Sequence, residues 1–227
     1  MITEVYNLET WNSLLEEAEK GNNMSQLEVA VYYENGIEVN GTEIVNIDET
    51  LAYYWTKKAY ENGNENALVS YADYLSLGKH CVKNLELAVE LYKKAVELGN
   101  SQASYNLGVE YRNKQEFETA FEYYKKANQF NKNYEDLTIA KCYYYGIGTQ
   151  KNRKIALSIF KKIKFPESNQ FEVDEANYYA GKIYLEGEVV EKSIEKARYY
   201  FELANKDEDH NSANEVLYII GRTENIK

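Results

Sequence analysis

The sequence predicts an all-α protein: a right-handed α/α superhelical solenoid of about five helix-hairpin repeats with a cap helix at each end. Three observations carry this. Ala88, Ala156 and Ala197 each follow a small residue (Ala72, Ala140 and Gly181) by the same sixteen positions, and a fixed interval recurring along a chain is the signature of a repeat architecture. Large residues flank these small ones at helical spacing. Start and stop signals fall at the same place in nearly every unit.

Each first helix is anchored on a small residue, Ala30, Ala72, Gly108, Ala140 or Gly181. One residue before it stands Val29, Tyr71, Leu107, Ile139 or Ala180, and three after it Tyr33, Leu75, Tyr111, Tyr143 or Tyr184. These positions form one helical stripe, and a small residue within it lets a second helix approach closely. Six residues after the anchor comes Gly36, Gly78, Gly146 or Gly187, where a helix end favours a left-handed residue. The third unit has Lys114 there.

Each second helix is anchored on Ala52, Ala88, Ala120, Ala156 or Ala197. Three residues on lie Trp55, Leu91, Tyr123, Ile159 and Tyr200, and seven on Ala59, Ala95, Ala127, Ile163 and Ala204. Four residues before the anchor stand Asp48, Asn84, Glu116, Asn152 and Ser193. All but Glu116 are good N-caps, each worth about 1 kcal/mol over alanine.

The units are expected at 25–63, 67–99, 103–131, 135–164 and 174–206, between cap helices at 11–21 and 210–221, in a single domain over 1–227. In unit three the anchors Gly108 and Ala120 are only twelve apart; in unit one Ala30 and Ala52 are twenty-two apart, leaving a long loop from Ile37 to Val45. Asn40-Gly41 within it fits either a small β-hairpin or an irregular loop. The linker grows between Ile163 and Ala176, where Phe165-Pro166 holds the only proline. A dent or change of curvature is expected there, since proline disfavours helix in the residue before it. Trp11 to Lys20 copies the tail of a second helix and Ala213 to Gly221 a first helix. Such half-repeats are expected to turn a polar face outward, as a soluble array requires.

The pattern resembles the Sel-one-like repeat (SLR), the α/α-hairpin family related to tetratricopeptide repeats. It shows best in Ala103-Ser-Tyr-Asn-Leu-Gly-Val-Glu-Tyr111, in Gly146-Ile-Gly148 and in Lys57-Lys58-Ala59-Tyr60-Glu61-Asn62-Gly63-Asn64. The resemblance covers roughly residues 11–221 and implies a fold rather than a specific role. Secreted relatives can carry a disulfide within each hairpin. Here Cys81 and Cys142 fall in different units, which points to a reducing compartment. The amino-terminal residues show neither a basic nor an apolar leader segment, and no stretch reaches the about 18 apolar residues of a membrane span. The expectation is a soluble cytoplasmic protein. Its Asn-, Lys-, Glu- and Tyr-rich usage suggests an AT-rich bacterial genome.

Little in the chain points to chemistry. His80 and His210 are the only histidines, and neither has a second Cys or His at zinc-ligand spacing. Gly146-Ile-Gly148 lacks the remaining parts of a phosphate loop. Carboxylate pairs such as Glu16-Glu17 and the Asp207–Asp209 turn have nothing that places them in a cleft. No catalytic residue, cofactor or metal is assigned, and the chain is read as a non-enzyme.

What remains is a surface. The net charge of −11 opposes nucleic-acid and anionic-membrane binding and favours a basic protein partner. The charge is uneven: between Leu137 and Pro166 there is no carboxylate, while Lys141, Lys151, Arg153, Lys154, Lys161, Lys162 and Lys164 are basic. This run is either a set of solvated faces or a local anionic contact site. By analogy with tetratricopeptide repeats, whose first helices line the concave side, Tyr105, Arg112, Lys141, Tyr144, Tyr145, Tyr178 and Lys182 form an aromatic-basic stripe. Tyrosine and arginine dominate binding hot spots; the alternative is that these residues pack against the next repeat. The most specific functional expectation is an immunity- or antitoxin-type protein that masks a cognate toxin, which rests on size, acidity and the absence of a signal or further domain. The alternative is a regulatory adaptor bridging cellular proteins.

Overall fold

The computed structural model describes residues 5, 7–131, 136–164 and 168–224. Among these lie twelve helices: α1 (Leu8–Glu19), α2 (Asn23–Asn35), α3 (Glu49–Glu61), α4 (Ala67–Leu77), α5 (Leu85–Glu97), α6 (Ser101–Asn113), α7 (Phe117–Phe130), α8 (Leu137–Tyr145), α9 (Arg153–Phe160), α10 (Gln170–Glu186), α11 (Ile194–Ala204) and α12 (Asn211–Glu224). One two-stranded sheet joins β1 (Ile37–Val39) to β2 (Thr42–Val45). The fold is all-α, as the repeat interval requires. Packing divides the chain into two compact units, residues 1–107 and 108–227. Phe165-Pro166 lies outside the described residues.

The helices begin where side chains can satisfy their first amides. Asp48 Oδ1 accepts from the backbone N–H groups of Thr50 and Leu51 at 3.0 and 2.9 Å. Asn84 accepts from Leu87 at 3.1 Å, Asn152 from Ile155 at 3.0 Å and Ser193 from Lys196 at 3.2 Å. Glu116, the poor cap by sequence, makes no side-chain cap bond. The stops follow chain chemistry as well: Gly78, Gly146 and Gly187 are left-handed at the ends of α4, α8 and α10. Unit three has Lys114 instead, and Gln115, one residue later, takes the positive φ of 63°.

The small anchors act as seats for rings from the second helices. A Cβ on Gly108 would stand 2.4 Å from the Tyr124 ring, and one on Gly181 would stand 2.9 Å from that of Phe201. These rings sit four residues after the second-helix anchor, not three. Tyr92, Tyr124, Phe160 and Phe201 at this position are among the largest fully buried side chains. The residues three after the anchor form the hairpin's flank, where Tyr111 stacks on Tyr123 at 5.3 Å and Tyr184 on Tyr200 at 5.5 Å.

In the first unit, α2 packs on α3 and α4 on α5, with α1 against α2. Asn40-Gly41 forms a hairpin turn: both residues have positive φ, 52° and 78°, as the two-residue turn favoured by strand twist demands. The hairpin buries Val45 with Trp11, Leu14 and Trp55. In the second unit, α8 packs on α9 and α10 on α11, and α12 covers α11. The two cap helices differ. The outward residues of α1 are polar apart from Leu8. Helix α12 does not meet the expectation of a polar outer face, since Tyr218 and Ile219 are 65 and 59% exposed. Tyr218 stands five residues after Ala213, where earlier first helices carry the small anchor.

Candidate protein-binding face

Six of the seven stripe residues belong to the second unit; Tyr105 belongs to the first. Tyr105 is half-buried on α6, and Arg112 is exposed in the last turn of that helix. The structure brings together Lys141, Tyr144 and Tyr145 of α8 with Tyr178 and Lys182 of α10, and adds Tyr179, Arg153, Glu175 and Glu186.

Tyr144 is a correction to the sequence expectation. It is 2% exposed, inside a core of Leu137, Phe160, Ile163, Tyr179 and Ile183, and therefore offers no contact surface. Four residues past the anchor on α8, its ring is directed between α9 and α10, 5.0 Å from Tyr179 and 6.3 Å from Phe160. The Arg153 guanidinium lies 4.5 Å from its centroid. Burial raises the Tyr144 hydroxyl above the ordinary phenol range, against the opposing pull of Lys182 and Arg153. Tyr145, one residue on, is 52% exposed, and its hydroxyl is hydrogen-bonded to that of Tyr179 at 2.9 Å. Burial first, and this bond second, hold the Tyr179 phenol well above its usual range, so it remains a neutral hydrogen-bonding group. Tyr178 is half-buried, its ring 4.9 Å from His210 and 5.8 Å from Phe201.

The cations are not equivalent. Lys141 Nζ donates to Glu175 at 2.5 Å and lies 5.2 Å from the Tyr179 centroid. Arg153 pairs with Glu186 and, at 2.9 Å, with Glu188. Lys151 reaches Glu188 at 3.7 Å. Part of the carboxylate-free basic run is thus neutralised by acids of α10 and the loop after it, whereas Lys154, Lys161 and Lys164 stand exposed. Lys182 differs again: its ammonium lies 5.8, 5.6 and 5.9 Å from the centroids of Tyr144, Tyr178 and Tyr179, and among the described residues it has no ion-pair partner. Sequence reasoning missed Tyr179 and the acids. The only signal for them was their spacing on α10 opposite the basic run.

Elsewhere, polar groups join helices. Asp73 Oδ1 accepts from the Tyr92 hydroxyl at 2.5 Å and from Asn106 Nδ2 at 2.7 Å, and burial raises its carboxyl above the usual range despite those bonds. His80 lies between Glu49 at 3.0 Å and Thr50 at 3.3 Å. Among the described residues, no group of three His, Cys, Asp or Glu is placed to hold a metal ion. No described helix is long and apolar enough to cross a membrane.

The Sel1 repeat model matches residues 23–64, 66–100, 101–129, 139–163 and 174–209. Protein sel-1 homolog 2 of Homo sapiens is 29% identical over 132 residues, 55% of this chain and 19% of its own length. The Rattus norvegicus protein of the same name is 26% identical over 181 residues, 74% of this chain and 22% of its own. The chain thus spans about a fifth of the length of these relatives. Among solved structures, the Sel1 repeat protein from Oxalobacter formigenes superposes with a TM-score of 0.70 at 20% identity, covering 92% of this chain and 80% of that one. A protective antigen of uropathogenic Escherichia coli strains displaying an SLR fold gives 0.57 at 20% identity, over 96 and 53%. Both place the fold among the SLR solenoids. Five matched repeats over most of the chain, each with its small anchor, make this protein a member of the Sel1 repeat family, whose repeats serve as protein-interaction scaffolds.

Proposed function

We propose that this chain is a non-catalytic scaffold that holds one protein ligand on the α8–α10 face of its second unit. The observation that carries the reading is the pairing of the exposed Tyr145 with a rigid backing. Its hydroxyl is tied to Tyr179, and Tyr144, Phe160 and Tyr179 are packed beneath it. Aromatic area held in one rotamer is what a hot spot needs, because little side-chain entropy remains to be lost on binding. Tyr178, Lys141 and Lys182 complete the proposed surface on this unit.

The most specific role we propose is that of an immunity protein masking a cognate toxin in the cytoplasm. The net charge of −11 favours a basic ligand, and both cysteines are free thiols, in keeping with a reducing compartment. A regulatory adaptor is favoured by one observation: α12 offers a second exposed apolar surface, Tyr218 and Ile219. Co-expression with the product of a neighbouring toxin-like gene decides between them. Rescue of growth, abolished by Tyr145→Ala, supports the immunity role. Absence of rescue, together with binding of several cellular proteins that depends on both Tyr145 and Tyr218, supports the adaptor.

A further inference from the structure

The two stripe lysines of the α8–α10 face, Lys141 and Lys182, differ in whether an acid meets them. Lys141 is matched by Glu175, and Arg153 by Glu186 and Glu188. Lys182 rests on three tyrosine rings with no acid in contact among the described residues. Ring faces attract an ammonium and hold it in place, but they do not neutralise it. In a chain with eleven more acidic than basic side chains, a lysine that forms no ion pair with a described carboxylate leaves a place for one from outside. Tyr145, half exposed and next to the Tyr144 ring at 4.8 Å, supplies apolar area for whatever stands beside that acid. We infer that Lys182 is the specificity-determining cation of this face and receives an aspartate or glutamate side chain of a peptide segment of the protein ligand, with an adjacent aromatic or aliphatic side chain laid on Tyr145. This rests on the proposed binding face and names the chemistry that the face selects. The overall acidity and the local lysine then act on different parts of the ligand, the first on its net charge and the second on one acidic residue.

The test is a phage-displayed library of short random peptides selected on the full chain. The enriched peptide is then titrated, as a fluorescein conjugate, against wild type, Lys182→Gln, Lys182→Arg and Tyr145→Ala. The inference expects enriched peptides to carry Asp or Glu beside an aromatic or aliphatic residue. Replacing that acid by its amide and making Lys182→Gln should each weaken binding about tenfold or more, with no further loss when combined, because they remove the same contact. Lys182→Arg should retain most of the affinity, and wild-type binding should fall as salt is raised. Lys182→Gln should keep the wild-type melting temperature; should it not, the Arg variant and the salt titration carry the decision. Neutral enriched peptides, no enrichment, or indifference to both Lys182→Gln and salt would overturn the inference. Indifference to Lys182 with strong dependence on Tyr145 would leave the binding face standing and remove only its acid preference. Indifference to both residues would remove the face as well.

Discussion

The position one residue after the first-helix anchor holds Asp73 in the second repeat and Lys182 in the fifth, and the two are used in opposite ways. Asp73 is drawn under its own hairpin's ring: the Tyr92 hydroxyl and the Asn106 amide both donate to it. Its charge is spent on joining α4, α5 and α6. Lys182 lies on ring faces instead of ring edges and is matched by no described acid. The repeat fixes where such a residue stands, not what it does.

The comparison sharpens with the second-helix rings beneath. Phe160 and Tyr92 occupy the same repeat position, both nearly fully buried. Phe160→Ala should cost about 3–5 kcal/mol, as truncation of a large core ring does, read from chemical denaturation. Tyr92→Phe keeps the ring and removes one donor to Asp73, so the expected loss is about 1–3 kcal/mol. Equal costs would mean that the Asp73 network does not set the first unit apart.

A smaller effect follows from pH. Burial raises the Asp73 carboxyl above its ordinary range in the folded chain. A group whose folded pKa lies above its unfolded value supports the fold when protonated, and that support is lost as pH rises through the folded pKa. Asp73→Asn should therefore gain stability relative to wild type as pH rises through and above the ordinary carboxylate range, measured as the difference of the two melting curves. A flat difference would show that the hydrogen bonds offset the cost of burial. The smallest effect is expected at Lys182, where Lys182→Gln should change stability by no more than about 0.5 kcal/mol, as at other surface sites.

Much of this was legible in the sequence because local chemistry and the repeat agree. Asn84, Asn152 and Ser193 cap the helices that their spacing predicts, and Asn40-Gly41 turns a hairpin whose φ values few other residue pairs tolerate. What was not legible depends on packing between elements. Positions three and four past an anchor share one helix face, so only the contact with the first helix shows that Tyr124 and Phe201 are the buried rings while Tyr123 and Tyr200 form the flank. The same ambiguity produced the error at Tyr144, adjacent to Tyr145 in a run of three tyrosines. Nor could the pairing of Arg153 with Glu186 and Glu188 be read off, since those acids lie more than thirty residues downstream.

The division between a buried ring and the binding ring upon it is tested most directly by thermal melts of Tyr144→Ala and Tyr145→Ala, measured side by side. Loss of the Tyr144 ring, 2% exposed, should cost about 3–5 kcal/mol and lower the melting temperature by about 10 °C. Loss of the Tyr145 ring, 52% exposed, should move it by no more than about 2 °C. Equal large drops would make both tyrosines core residues and leave the face without its aromatic anchor; a stable Tyr144→Ala would contradict the packing on which the account stands.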